Sequence, residues 1–238
     1  MNAVGVVLAA GLGTRVGADG NKAYLPLAGR SMLAWSLDTL INLPDIARTV
    51  LVHRRGEFEL ARDTLKHEID CTTVEFVEGG DSRHASETNV VRYLADDIEA
   101  GAVDVVVIHD AARPLAGPGM FVEAITLARQ FGGALPALPI RDVARAGGDG
   151  LKRVADDALL VRVQTPQAFR ARDLLHAYRS ASRDDFEGTD TSSCVERYTR
   201  VEVRTFRGRT DNLKVTYARD VAVAHHLLIN AGSPADPR

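Results

Sequence analysis

Val4-Gly5-Val6-Val7-Leu8-Ala9-Ala10 leads directly into Gly11-Leu12-Gly13-Thr14-Arg15-Val16-Gly17, and a short polar loop then reaches Lys22. The first run is short, apolar and rich in valine, the pattern of a strand buried on both faces. The second places glycine where the backbone must turn tightly or approach a ligand closely. A glycine-rich loop after a buried strand presents backbone N–H groups that suit phosphate oxygens. Arg15 and Lys22 add fixed positive charge at the same mouth, so the stretch reads as a loop that wraps a triphosphate. The P-loop signature is absent, because no Gly-Lys-Ser/Thr follows the glycines. The dinucleotide fingerprint fails as well: Val16 stands where its third glycine belongs, and Gly17 comes one residue late. On this stretch alone, a phosphate loop and a glycine-rich strand-to-helix turn both remain open.

The rest of the chain supplies context. Thr49 to His53, Thr73 to Val77, Val103 to Ile108, Ala134 to Ile140 and Val201 to Arg207 read as strands. Between and after them, Met32 to Leu40 behind an N-capping Ser31, Glu57 to His67, Ser86 to Leu94, Gly119 to Gln130, Arg172 to Ala181, Thr191 to Tyr198 and Ala218 to Ile229 read as helices. Pro26 and Gly29 mark irregular backbone. The alternation predicts an α/β fold with a mostly parallel, doubly wound, Rossmann-like sheet. Arg141 to Val163 breaks the pattern. Its alternating segments around Gly147-Gly148-Asp149-Gly150 predict a β-arm that protrudes from the sheet. Residues 1–231 thus read as one domain, and Gly232 to Arg238 as a frayed tail.

At 238 residues, 45% of them hydrophobic, the chain is long enough for one large α/β core. A formal net charge of −3 without a long basic run gives no sign of a nucleic-acid surface. Cys71 and Cys194 are the only cysteines and lie far apart, which argues against a disulfide scaffold or a zinc site and for reduced thiols in a cytoplasm. No apolar run approaches a membrane span, and the N-terminus shows no signal-like region. Ligands of parallel sheets bind beyond the C-terminal strand ends. Three loops fall there: Gly11 onward, Gly79 to Ser86, and Asp110 to Pro114.

Taken together, Ala9-Ala10-Gly11-x-Gly13-x-Arg15 with Lys22 and Leu25 resembles the signature of nucleotidyltransferases that activate sugars. Gly79-Gly80-x-x-Arg83-x-x-Ser86, His109-Asp110-Ala111-Ala112-Arg113-Pro114, Gln164-Thr165-Pro166-Gln167-x-Phe169 and Asp211-Asn212-x-Lys214-x-Thr216 narrow the resemblance. From about Val4 to Leu228 the chain resembles the 2-C-methyl-D-erythritol 4-phosphate cytidylyltransferases of non-mevalonate isoprenoid synthesis and their ribitol-5-phosphate relatives.

The resemblance implies that CTP and a polyol phosphate give a CDP-polyol and pyrophosphate. An acceptor phosphate oxygen would attack the α-phosphorus in line. That nucleophile is already ionised at neutral pH, so positioning and charge neutralisation should suffice. Arg15, Lys22 and Lys214 are implied as catalytic cations. Ala9, Ala10, Gly11, Gly13, Gly79, Gly80, Asp81, Ser86 and Ala111 are implied to bind the nucleotide. Asp110, Arg113, Thr165 and Thr189 are acceptor-site candidates, and Asp110 with Asp211 are candidates for Mg²⁺. His109 reads as structural. The resemblance also implies a homodimer formed through the arm.

Two positions depart from the family pattern. Val143 stands where a threonine that helps hold the acceptor is usual, and a valine cannot donate a hydrogen bond. Asp157 stands where an arginine is usual on the arm, and a carboxylate repels a phosphate. The acceptor that the resemblance implies first is 2-C-methyl-D-erythritol 4-phosphate; these departures imply an altered acceptor site and leave open, as alternatives, ribitol 5-phosphate, another sugar-alcohol phosphate, or a paralogue that binds nucleotide with little turnover. A dinucleotide-dependent oxidoreductase is disfavoured by the missing third glycine and the basic triphosphate mouth.

Overall fold

The computed structural model describes residues 2–11, 20–140, 143–147, 150–153 and 160–230. Arg15 and Gly13, the arm's Asp157 and the expected tail from Gly232 lie outside them.

The opening apolar run is β1, Ala3–Leu8. It pairs in parallel with β4, Ile46–His53, on one side and with β6, Val105–Asp110, on the other. Its side chains alternate between two cores, as a period of two requires. Ala3 and Val7 join Leu51, Val105 and Val107 on one face. Val4 and Val6 join Val50, Val52, Val106 and Ile108 on the other. All six residues of β6 are buried, which is why its sequence is an almost unbroken apolar run.

Beyond β4 lies β5, Val74–Glu78, at one edge. On the far side of β6 come β11, Gln167–Arg170, and then β7, Gly132–Pro139. A last parallel strand, β12 (Glu202–Arg207), flanks β7. Within this eight-stranded sheet β11 and β10, Val161–Val163, run antiparallel to their neighbours. The sheet is therefore mixed but mostly parallel. The sequence shows 164–169 only as a return of the chain, because a four-residue strand offers too little alternation to be recognised.

Helices cover both faces. On the first lie α1 (Met32–Ile41), α2 (Phe58–Glu68) and α5 (Pro118–Phe131), whose Leu33, Leu37, Leu65, Phe121 and Ile125 fill the first core. On the second lie α3 (Arg83–Tyr93), the short α4 (Ala95–Glu99), α6 (Ala171–Arg183) and α7 (Thr191–Tyr198). The closing helix α8, Ala218–Asn230, buries Ala224 against Leu27 and Met32. Ser31 caps α1 by accepting the Ala34 N–H, as its sequence position predicts. Helix α3 starts three residues earlier than its apolar pattern indicates, because Ser82 caps it by accepting the Ala85 N–H. That shift places Arg83 and Ser86 in the first turn.

One feature corrects the sequence reading. The irregular stretch around Pro26 is a tight hairpin of β2 (Pro26–Leu27) and β3 (Arg30–Ser31). Its two turn residues, Ala28 and Gly29, have φ of 49° and 85°, the left-handed geometry of a two-residue hairpin turn. Within the expected arm, 141–163, the described residues include a hairpin of β8 (Ala144–Gly147) with β9 (Gly150–Arg153), a separate two-stranded sheet. The residues at its return, β10, belong to the main sheet.

The sheet's mixed half depends on a close approach. A Cβ on Gly133 would come within 2.7 Å of Phe169 Cδ1, so the phenyl ring lies where a side chain at 133 would be. Phe169 is fully buried. Phe169→Ala should therefore destabilise the protein by about 3–5 kcal/mol. Urea unfolding checks this, and a loss below about 1 kcal/mol would contradict the packing described.

Candidate active site

The chain order reverses at β1. The next strand of the main sheet in sequence, β4, lies on one side, and β6 lies on the other. A crevice outside the C-terminal ends of β1 and β6 is the expected ligand position in such a sheet. A cleft of about 360 Å³ lies there. The end of β1 contributes Leu8, Ala9, Ala10 and Gly11, and the end of β6 contributes Asp110, Ala111 and Ala112. The start of α3 and the loop before it supply Gly80, Asp81, Ser82, Arg83 and Ser86. Asn21, Lys22 and Ala23 close one side, and Lys214 and Thr216 the other. Sequence motifs that are far apart in the chain thus meet at one mouth.

Local hydrogen bonds shape the walls. Asn21 donates through Nδ2 to the Ala9 carbonyl at 2.6 Å and to Glu57 Oε2 at 2.8 Å. It thereby ties together the two ends of the glycine-rich loop, and places the adjacent Lys22. Lys22 Nζ donates to the Val215 carbonyl at 2.8 Å, next to Lys214. The Val215 N–H in turn donates to the Ala112 carbonyl at 2.8 Å, which docks the Lys214 segment on the loop after β6. The Gly80 N–H donates to the Ser86 hydroxyl at 3.1 Å, and that hydroxyl donates to the Ser82 carbonyl at 2.8 Å. Gly79 cannot carry a side chain, because a Cβ there would lie 2.5 Å from Ala10 Cβ. The loop after β1 and the loop before α3 touch at that point.

The charge of the cleft centres on Asp110. Its buried carboxylate pairs through Oδ1 with Arg83 and through Oδ2 with Lys214 Nζ at 2.7 Å, and Arg113 Nε lies 3.8 Å away. Burial opposes its ionisation, but the charges of Arg83, Lys214 and Arg113 outweigh burial and hold it well below the usual carboxylate range. Arg113 is itself pulled down from its ordinary value by burial and by the neighbouring Arg83, with Asp110 opposing. Its Nη1 donates to the Asn212 carbonyl at 2.8 Å.

Behind the carboxylate runs a short chain of hydrogen bonds. The Asp110 N–H donates to Thr165 Oγ1 at 3.1 Å. Thr165 Oγ1 lies 3.0 Å from His109 Nδ1, and His109 Nε2 lies 3.2 Å from the Arg113 carbonyl. A carbonyl only accepts, so His109 carries its proton on Nε2, and its Nδ1 accepts a hydrogen bond from the Thr165 hydroxyl. Burial pushes His109 down to about 4, so it is neutral at pH 7 and faces no ligand. Its structural reading stands.

The structure brings together Ala9, Ala10, Gly11, Lys22, Gly80, Asp81, Ser86, Asp110, Ala111 and Lys214. It does not place Thr165 in the cleft. That residue is 3% exposed, and its hydroxyl bridges His109 and the Asp110 backbone. Arg113 is buried against Asn212, and Thr189 lies on the loop before α7; neither is among the described residues that line the cleft. The Asp110–Asp211 pair is not assembled either. Asp211 lies outside the cleft lining, and its carboxylate is held by Arg209. Among the described residues no group of three or more His, Cys, Asp or Glu side chains could hold a metal ion. Val143 is half-buried at the start of the arm. Sequence reasoning misses Arg83 and Asn21 as cleft residues. Arg83 is visible in its motif, but only the fold shows that it meets Asp110.

Comparison with known proteins agrees with this geometry. Residues 3–230 match the family model described as 2-C-methyl-D-erythritol 4-phosphate cytidylyltransferase. The enzyme of that name from Cereibacter sphaeroides strain KD131 is 38% identical over 232 residues, covering 96% of this chain and 97% of its own. The one from Syntrophotalea carbinolica is 32% identical over 229 residues, 95% and 96% of the two chains. Among solved structures, the Thermus thermophilus 2-C-methyl-D-erythritol 4-phosphate cytidylyltransferase aligns with a TM-score of 0.72 at 27% identity, covering 94% of this chain and 98% of its own. In fold alone, the 4-diphosphocytidyl-2C-methyl-D-erythritol synthase of Anaerococcus prevotii aligns with a TM-score of 0.81 at 24% identity, over 96% of each chain.

Burial of His109 and the charges around Asp110 make stability depend on pH. The unfolded chain protonates His109 near its ordinary 6.5, whereas the folded chain resists until about 4. Between those values the unfolded state binds more protons, so stability falls as pH falls. Asp110 acts in the same direction lower down. Its contribution is complete above the ordinary aspartate value and is lost as pH drops through its depressed folded value. His109→Gln should therefore flatten the decline in unfolding free energy between pH 7 and 4.5 by about 2–3 kcal/mol. Urea midpoints across that range test it, and equal slopes in the two proteins would contradict it.

Proposed function

The chain belongs to the 2-C-methyl-D-erythritol 4-phosphate cytidylyltransferase family, and from that premise we propose how its cleft performs cytidylyl transfer. The observation that carries the reading is the meeting of Lys22, Lys214, Arg83 and Asp110 at the crevice between β1 and β6. The triphosphate of CTP lies against the Gly11 loop, with Arg15, Lys22 and Lys214 neutralising its charge. Backbone groups of Ala10, Gly79 and Gly80, with Asp81 and Ser86, bound a small pocket for cytosine and ribose. Asp110 accepts hydrogen bonds from the acceptor's hydroxyls, and the family resemblance assigns Arg113 and Thr189, which do not line the cleft, to the acceptor side.

The reaction is one displacement. A phosphate oxygen of 2-C-methyl-D-erythritol 4-phosphate forms a bond to the α-phosphorus of CTP as the bond to the pyrophosphate oxygen breaks. The departing electron pair stays on pyrophosphate, whose charge Lys22 and Lys214 stabilise. No proton needs to move, which agrees with a His109 that is neutral and buried.

Magnesium fits this cleft in a restricted way. It commonly takes one or two carboxylates, with phosphate oxygens and water completing its shell. Asp110 is the carboxylate suitably placed, while Asp211 is engaged by Arg209 outside the cleft. A bound Mg²⁺ would supply neutralisation of triphosphate charge.

The protein's setting follows the same family reading. Among the described residues no helix is long and apolar enough to cross a membrane. Cys71 and Cys194 are free thiols, which favours a reducing cytoplasm. The β8–β9 hairpin pairs with no other strand of the described residues. A lone hairpin is marginal in water, and the same arm of a second copy would cover it.

The decisive experiment is pyrophosphate release with CTP and a panel of polyol phosphates. 2-C-methyl-D-erythritol 4-phosphate should be turned over well ahead of ribitol 5-phosphate; no release with any acceptor would overturn the assignment. Lys22→Ala and Lys214→Ala should each lower kcat by about 10²–10³ while the far-ultraviolet spectrum is unchanged. Near-normal turnover by either folded variant would remove that lysine from the mechanism. Light scattering should report a dimer, and a monomer at working concentration would refute the arm exchange.

A further inference from the structure

Glu87 is a carboxylate in the core that the transfer chemistry does not use. It is 1% exposed, on a helix whose neighbouring Val90 and Val91 are buried in the second core. Its Oε1 lies 3.1 Å from Arg83 Nε, one turn earlier on α3, and accepts from the Thr191 hydroxyl at 2.6 Å. Its Oε2 accepts from the Tyr178 hydroxyl of α6 at 2.5 Å. Stability alone gives little reason for such a group. Buried ion pairs can often be replaced by apolar residues of similar volume without loss.

What the carboxylate connects is more informative. Arg83 is shared between two acids: Glu87 on the core side and Asp110 on the cleft side. Its Nε and Nη2 are buried without hydrogen-bond partners, so charge on either side, rather than a full set of hydrogen bonds, holds the guanidinium in place. Thr191 opens α7, immediately after Asp190 and two residues after Thr189. Ser86, on the nucleotide wall, precedes Glu87 in the chain. One buried carboxylate thus ties the helix of the nucleotide wall to the loop on the acceptor side, and fixes the cation that holds Asp110.

We propose that Glu87 is a positioning residue for the acceptor polyol phosphate. It anchors Arg83 so that the Asp110 carboxylate keeps its orientation toward the acceptor, and it fixes the start of α7 relative to α3. The triphosphate has its own supports in the Gly11 loop and Lys22, so loss of Glu87 falls on the acceptor rather than on CTP. This inference rests on the reading of the cleft as the cytidylyl-transfer site.

Steady-state kinetics with CTP and 2-C-methyl-D-erythritol 4-phosphate varied separately test it. Glu87→Gln and Glu87→Val should each lower kcat/KM for the acceptor by about tenfold, mainly through KM, the size expected for one misplaced charge-assisted bond. The KM for CTP should change by less than about twofold. Thr191→Val and Tyr178→Phe each remove one hydrogen bond to the carboxylate, and should shift the same parameter less. Leu65→Ala, in α2 on the opposite face, serves as a destabilised comparison and should show no such split between substrates. Acceptor kcat/KM at the wild-type value in the folded variants would overturn the proposal, as would equal losses for both substrates. Absence of pyrophosphate release by the unaltered protein would instead overturn the reading of the cleft itself.

Discussion

The buried charge of Asp110 is the constraint around which the site is assembled. A carboxylate at the end of a central strand, with apolar layers on both faces, is tolerated only if cations surround it. Arg83, Lys214 and Arg113 meet that need from three separate segments of chain. Each contact therefore also fixes a loop: the start of α3, the Lys214 segment, and the turn after β6. Two of these cations, Arg83 and Lys214, line the cleft. Packing and electrostatics are thus set by one cluster.

The supports of that cluster are layered. Thr165, braced by the His109 ring, holds the Asp110 backbone from behind, and Asn212, itself held by Gln164, holds Thr165. Gln164 Nε2 donates to the Asn212 carbonyl at 3.0 Å, the same oxygen that receives Arg113. The Gln164-Thr165-Pro166-Gln167 motif is thereby explained as scaffolding: among the described residues none of its members lines the cleft, yet Thr165 fixes Asp110, which does. Neutral groups provide this scaffold, so it adds no carboxylate to compete with the triphosphate for the cations at the mouth. Catalysis by positioning needs such rigidity, since misplacement of a reacting group by about 1 Å can slow a reaction by roughly 10²-fold.

Much of this is legible in the sequence. The apolar runs of β1 and β6 and the alternation of strands with helices specify a mostly parallel sheet, and the C-terminal strand ends then locate the cleft. Lys22, Asp110 and Lys214 are readable because their motifs bracket those ends. Strand β11 is not readable, because Gln167 to Arg170 is too short to show a period. That the Thr165 hydroxyl bridges His109 and the Asp110 backbone is not readable, because a motif does not show which neighbours a hydroxyl meets. Asp211 pairs with Asp110 by type, although Arg209, two residues away, claims it. Glu87 lies between Ser86 and an apolar helix face, and only the fold brings it to Arg83, Tyr178 and Thr191. Partnerships across elements are what the sequence does not display.

The central claim is that this cleft transfers the cytidylyl group in a single displacement, by positioning and charge alone. No cysteine or histidine is among the described residues that line it, and its two serines are engaged in capping α3 and bridging to Gly80. Stereochemistry at the α-phosphorus tests that claim most directly. With CTP made chiral by sulfur at the α-phosphate, the product should show inversion at phosphorus. Retention would require two displacements through a covalent cytidylyl-protein intermediate, and would contradict the mechanism described here.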